Sequence, residues 1–343
     1  MSNQSNESLP YSHIPTSVFL PRVPRKPPTS SSADLAIAPF RTPEQSIDGN
    51  EIERKLESRL LEIERSRHEF LQTETQRPEP LHSPLPPLPE TRVWGVRFHA
   101  ITMEETLDRL EAIVAAGKPS VAITANLNYA MLCDKHPRLR AFTERAALVL
   151  CDGKPVQWRS RLERVQLPER VTGADLIYRI AERSARTKLR IFLYGAAEGI
   201  AEKAARVLTE KYPGCCIAGV LCPPFRTLSE KEKQDQIQSI RDSKPDVLLI
   251  ALGQPKGEFW IEDNLEALQV PLAIQVGASF DFVAGKAKRA PRLLQTVGAE
   301  WLYRTFTDPR RLAPRYAQNA WFLGKSLHRD LVRWFDAAFS TTA

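Results

Sequence analysis

No apolar run in this 343-residue chain approaches the roughly 20 residues a membrane-spanning helix needs; the longest are short pieces such as VLLIAL at 247–252. The start, MSNQSNESLPYSHIP, has neither a charged n-region nor an apolar h-region, which predicts no secretory signal. Cysteine is scarce. The five cysteines (133, 151, 215, 216 and 222) include an adjacent pair rather than CxxC, and His136 is the only histidine near any of them. That argues against zinc and for reduced packing thiols in a cytosolic protein. The glycine-rich turn Gly195 to Gly199 is not GxGxxG, and GxxxxGK[ST] does not occur. A Rossmann dinucleotide fingerprint and a P-loop are thereby excluded. There is no DxD either, since SFDF at 279–282 carries the single Asp281. No internal repeat recurs at a fixed period.

What is present suits a folded protein of one large or two ordinary domains, with 42% hydrophobic and 26% charged residues. The net charge of +7 favours an anionic partner, without choosing among phosphate, lipid headgroups and nucleic acid. Nucleic acid is not expected as a partner, because the basic residues are not interleaved with aromatics on a recognisable module.

Composition shifts along the chain. Residues 1–47 are rich in Pro, Ser and Thr and are expected to be disordered. In 48–76, Ile52, Leu56, Leu60, Ile63 and Phe70 recur at helical spacing among Glu and Arg, which predicts one amphipathic helix. It would either pack on the domain or bind a partner as a short coiled coil. Residues 77–91 form a Pro-rich linker. The folded domain is expected over 92–290, followed by a helical, basic appendage over 291–339.

Within the domain, strand and helix patterns alternate. Apolar pieces at 120–124, 147–151, 189–194, 215–221, 246–252 and 272–277 are separated by helical patterns, and RVWGVRFHAI at 92–101 reads as a strand or hairpin. Thr102 with Glu105 has the spacing of a capping box, and Thr172 and Ser229 precede further helices. The expected fold class is α/β: a Rossmann-like, mostly parallel sheet with helices on both faces, plus the C-terminal helical appendage.

Ligands of such sheets bind outside the C-terminal ends of the strands. The residues expected there are Thr124 and Asn126, Asp152-Gly153, Gly195 to Gly199, the turn from Gly253 and Gln254, and GASFDF from 277 to Asp281 and Phe282. Glycine lets backbone N–H groups approach a phosphate, and a helix N-terminus adds partial positive charge. The set suits a nucleotide or nucleotide-sugar. Each piece alone has a bland alternative: a turn glycine, an N-cap at Asp152, an Asx-turn at Asn126.

Taken together, TAN 124–126, CDGKPV 151–156, PERVTGADLI 168–177, FLYGAAEGIAEKAA 192–205, YPG 212–214, ALGQPKGEFWI 251–261, VGASFDFVAGKAKRAP 276–291, GAEWLYR 298–304 and DPRRLAPRY 308–316 resemble the WecG/TagA/CpsF glycosyltransferases of bacterial surface-polysaccharide and teichoic-acid assembly. The resemblance runs in order from about residue 93 to 323. It implies an inverting, metal-independent transfer from a UDP-sugar, typically a UDP-N-acetylhexosamine, to a polyprenyl-diphosphate-linked acceptor. No cofactor is implied. The implied location is peripheral, on the cytoplasmic face of the membrane. Asp152 would be the catalytic base, Thr124 and Asn126 would line the sugar or acceptor pocket, and Arg170 would offer charge to the donor or pair with Glu169 or Asp175.

The leaving nucleoside diphosphate needs positive charge, and arginine binds phosphate oxygens bidentately. Arg304, Arg311 and Arg315, at spacings of 7 and 4, are the expected set, with Arg289 and Arg292 upstream. They would share a face on a continuous helix, which Pro309 and Pro314 are expected to break. One departure stands out. Gly257 occupies the glutamine position of G-x-P-x-Q-E, and Gln254 is the nearest amide that might substitute. Residues 318–339 set Trp321, Phe322, Leu323, Leu327, Leu331, Trp334, Phe335 and Phe339 among Lys325, Arg329 and Arg333. That is the pattern of an interfacial helix on a membrane surface, or of a helix packed on the domain or in a homo-oligomer. Two other functions remain open at this point: a nucleotide-dependent oxidoreductase, and a non-catalytic scaffold.

Overall fold

The structure, a computed structural model, describes residues 86–296 and 298–340; the side chains of Arg292, Arg311 and residues 333–340 are left aside. The expectations for 1–47, for 48–76 and for most of the 77–91 linker fall outside the described residues.

Strands β1 (Glu90–Val93) and β2 (Val96–His99) form an antiparallel hairpin. Its two-residue turn, Trp94-Gly95, has both φ angles positive, as the twist of a tight hairpin demands. The hairpin buries Val93, Val96 and Phe98. Helix α1 (Met103–Ala116) starts at the reciprocal Thr102–Glu105 capping box that the spacing predicts. Six parallel strands follow: β3 (Ser120–Ala125), β4 (Leu148–Cys151), β5 (Arg190–Gly195), β6 (Cys216–Leu221), β7 (Val247–Ala251) and β8 (Leu272–Gln275). Their order across the sheet is β4-β3-β8-β7-β5-β6.

Helices α2 (Leu127–Lys135), α3 (Pro137–Arg145), α4 (Lys154–Ser160), α5 (Gly173–Thr187), α6 (Ile200–Lys211), α7 (Glu230–Asp242) and α8 (Lys256–Leu268) connect the strands. Successive strand residues point to opposite faces. In β7, Leu248 and Ile250 join the core beneath α2 and α8, while Val247 and Leu249 join the core beneath α1, α5 and α6. A sheet covered on both faces explains why its strands are near-continuous apolar runs.

Beyond β8 lie α9 (Ser279–Val283), α10 (Arg292–Thr296), α11 (Glu300–Thr307) and α12 (Pro309–Ser340). One expectation changes here. Pro309 is the first residue of α12, where its missing N–H is no loss, but α12 runs on through Pro314. Pro314 forgoes one hydrogen bond, to the carbonyl of Arg310, which a helix of this length tolerates near its start.

Over the described side chains, 318–332, the stretch gives one face to the domain, the arrangement expected of a helix packed on it. Phe322 is buried edge-on against Trp94, and Leu312, Asn319 and Ser326 are buried on the same helical face. Trp321, Leu327 and Leu331 are exposed. One face of α12 is committed to the domain, so only part of the apolar content is left at the surface. Asp330 anchors this face: Arg159 donates to its two oxygens, at 2.6 and 3.0 Å. Among the described residues no helix is long and apolar enough to cross a membrane.

Candidate active site

The C-terminal edge of the sheet carries the site. Ala125 ends β3, and Asn126 caps α2 by accepting the Tyr129 N–H at 3.1 Å. Cys151 ends the neighbouring β4, and the Asp152 N–H donates to the Ala125 carbonyl at 2.9 Å, carrying the ladder one residue further. The carboxylate of Asp152 is not a helix cap. Gly153 holds the N-cap position of α4 and makes no side-chain cap. With no capping duty, this carboxylate is available for chemistry.

Asp152 is half-buried, and the surface it does expose is cavity wall. Burial pushes its pKa up to about 7; Arg170 and Arg289 pull down, and Glu300 and Asp175 push up. The neighbours are themselves paired. Arg289 donates to Asp175 at 2.7 Å, and so does the Thr172 hydroxyl. Burial pushes Asp175 up, but Arg289 and Thr172 outweigh it and hold it below the usual carboxylate value. Arg170 meets neither Glu169 nor Asp175: it approaches Glu300 of α11 at 3.5 Å, while Glu169 accepts the Met103 N–H. Asp152 thus sits beside two ion pairs, both made to the segment after β8.

A cavity of about 730 Å³ opens above this edge. Of the residues expected from the sequence, Thr124, Asn126, Asp152, Arg170, Gly253, Gln254, Asp281, Arg304 and Arg315 all line it. Thr124 spends its hydroxyl on the Gln275 carbonyl, at 3.1 Å. Gln254 accepts from the Asn128 amide at 3.1 Å. Arg304 lies over the Phe282 ring, 5.3 Å from its centroid. Asp281 faces Lys286 at 3.9 Å.

Gly195 is a correction: it does not line the cavity. Its φ of +108° and a hypothetical Cβ only 2.8 Å from the Ala251 carbonyl oxygen show a glycine required by close strand approach. For Arg311 the structure defines a place early in α12 and no side chain.

The sequence reading missed Glu300, Trp301, Asn128 and Lys154 as cavity residues, and gave Arg289 only a secondary place. Arg289 lies in KAKRAP, and its pairing with Asp175 depends on two segments 114 residues apart. No local spacing signals that. Among the described residues no three His, Cys, Asp or Glu side chains gather as a metal-ligand set.

A parallel sheet whose cleft gathers carboxylates, Asp152 among them, and several guanidinium groups is the layout of an α/β enzyme for phosphorylated ligands. Comparison with known sequences narrows the class. The family model of the WecG/TagA/CpsF glycosyl transferases matches residues 91–335. The chain belongs to that glycosyltransferase family, as the ordered motifs implied. It is 31% identical over 194 residues to an N-acetylglucosaminyldiphosphoundecaprenol N-acetyl-beta-D-mannosaminyltransferase of Bacillus spizizenii, covering 57% of this chain and 74% of that protein. It is 25% identical over 222 residues to a Staphylococcus aureus protein of the same description, covering 64% of this chain and 85% of that one.

Proposed function

We propose that this glycosyltransferase moves an N-acetylhexosamine, of the N-acetylmannosamine type its relatives' names describe, from a UDP-sugar to a polyprenyl-diphosphate-linked N-acetylglucosamine. The observation that carries the proposal is the shared cavity: Asp152 at the sheet edge, Arg304 and Arg315 on the segment facing it.

The chemistry follows from that arrangement. Asp152 takes the proton of the attacking acceptor hydroxyl as its oxygen bonds to the anomeric carbon. The bond from that carbon to the UDP oxygen breaks, and its electron pair leaves with the diphosphate. A single displacement by one base inverts the anomeric centre. A pKa near 7 suits a group that begins the cycle ionised and ends it protonated. Arg304 of α11 and Arg315 of α12, with Arg311 one turn before Arg315, would meet the charge growing on the diphosphate, which is the task a metal performs elsewhere. Arg170 and Arg289, already paired with Glu300 and Asp175, set the field at Asp152.

The acceptor's lipid would lie at the cytoplasmic face of the membrane. Leu293, Trp301, Leu302, Phe306 and Trp321 are exposed on the C-terminal segment, and Trp301 also lines the cavity. These side chains support a peripheral docking surface beside the cavity mouth, with the product entering surface-polysaccharide assembly.

The test is a donor screen: purified protein, a panel of UDP-sugars, a short-chain polyprenyl-diphosphate-N-acetylglucosamine and EDTA, with released UDP counted. Release with one sugar and undiminished by EDTA is the expected result. Silence with every donor, in a folded protein that also fails to bind UDP by calorimetry, would overturn the proposal in favour of a scaffold.

A further inference from the structure

Gly257, in the first turn of α8, stands where the family pattern has glutamine, and the structure gives a steric reason. A Cβ built on Gly257 would lie 2.8 Å from Cδ and 3.1 Å from Cγ of Gln275, and nearer still to its amide nitrogen. Real Cβ atoms do not approach that closely. The place of a side chain at 257 is therefore filled by Gln275, the last residue of β8, on the sheet face that α8 covers.

Gln275 is only 2% exposed, and both ends of its amide are used. Oε1 accepts the Gly277 N–H at 2.7 Å, and Nε2 donates to the Leu252 carbonyl. Leu252 leads into Gly253-Gln254, and Gly277, with φ of +59°, leads into Ala278 and α9; both turns wall the cavity. One buried amide thus ties together the turns after two adjacent strands. Losing it would leave a part-buried acceptor and a part-buried donor without this partner at once. Beside it lies Glu258, 1% exposed, to whose oxygens no donor comes in hydrogen-bonding geometry although the amides of Gln275 and Gln254 are close. The oxygen of Gln254 is taken up by Asn128.

We infer that Gln275 is the positioning residue of the cavity floor, its amide having taken the site that a side chain at 257 would occupy, and that Gly257 is there to admit it. Only the kinetic part of the test rests on the transferase reading.

The test compares four proteins: the unaltered chain, Gln275→Met, Gly257→Gln, and the double variant Gly257→Gln with Gln275→Ala. Hydrogen–deuterium exchange reads the segments 250–256 and 276–281, and steady-state kinetics reads the donor. Gln275→Met keeps the bulk and removes the amide. It is expected to speed exchange in both segments by about tenfold, and to raise the donor KM by about tenfold with kcat within about threefold. Gly257→Gln alone is expected to disturb both segments, and the double variant to return exchange and KM toward the unaltered values. Unchanged exchange and KM in Gln275→Met, or a double variant no better than Gly257→Gln, would overturn the inference. Were Gln275→Met not to fold, the double variant decides, since an amide supplied from 257 restores the floor only if the positions share one site. If the unaltered chain neither turns over a donor nor binds UDP, the transferase reading fails while the exchange results still judge Gln275.

Discussion

The sheet and the segment after it are built to different rules, and the cavity lies between them. In the sheet, Leu248, Leu249, Ile250, Ala273 and Ile274 are all fully buried, each held by neighbours on both sides. In α11 no residue is buried, and Trp301, Leu302 and Phe306 face outward. The segment is held at chosen points: Glu300 on Arg170, Phe322 against Trp94, Asp330 on Arg159. Regions with few buried apolar contacts open at lower free energy than a packed core. Asp152 therefore follows a strand with no exposed residue, and Arg304 sits on a helix with no buried one. Under the proposed function, such a division would let the charged half adjust to a bulky substrate while the half that carries Asp152 stays fixed.

The largest effect should come from the fixed half. Asp152→Asn is expected to keep the fold and lower transfer by about 10²- to 10⁴-fold, checked by UDP release alongside circular dichroism. Near-normal turnover would remove Asp152 from the base role and leave the comparison without its first term. Next come the arginines: Arg304→Ala and Arg315→Ala are each expected to lower kcat/KM by roughly 10- to 100-fold, the scale of a lost charge-assisted hydrogen bond. If both variants behave as the unaltered enzyme, the segment contributes no phosphate contacts and the division of labour is broken.

The pH dependence sharpens the same contrast. With Asp152 at about 7, kcat/KM should fall about tenfold per unit below pH 7 as the base is protonated. The stability sign is opposite. The folded-state pKa lies above the ordinary value of 3.8, so the folded chain holds the proton more tightly than the unfolded chain. The stability this group contributes is full below pH 3.8 and is lost as pH rises through about 7. Asp152→Asn should then melt higher than the unaltered protein at pH 8, with the gap closing toward pH 4. Differential scanning calorimetry across that range checks it.

The smallest effect on chemistry should come from the anchor. Phe322→Ala is expected to cost on the order of 3 kcal/mol locally, seen as faster hydrogen exchange over 309–332 with the sheet unchanged. Equal loosening of β7 and β8 would show that core and segment unfold as one unit.

Much of this was legible beforehand, for a local reason. The Thr102, Thr172 and Ser229 caps, the alternation of strand and helix, and the polar turns at one sheet edge are written in residues a few positions apart. Short-range patterns of that kind show in the chain itself. Asn126, Asp152, Gly253 and Gln254 were found because a parallel sheet gathers its strand ends on one side. What was not legible has a common cause as well. Gly195 reads as a ligand-binding glycine although its need for glycine comes from a neighbouring strand, and nothing near Phe322 in the chain signals that Trp94 lies opposite it.

The sequence by itself determined the layer architecture, the family and the carboxylate, because periodicity, capping and ordered motifs depend on near neighbours. Only the tertiary structure decided that Arg170 belongs to Glu300 and Arg289 to Asp175, that α12 gives one face to the domain, and that Gln275 fills the place beside Gly257. Those are matters of which atoms exclude or neutralise one another across segments far apart in the chain, and no spacing along it encodes a distance through space.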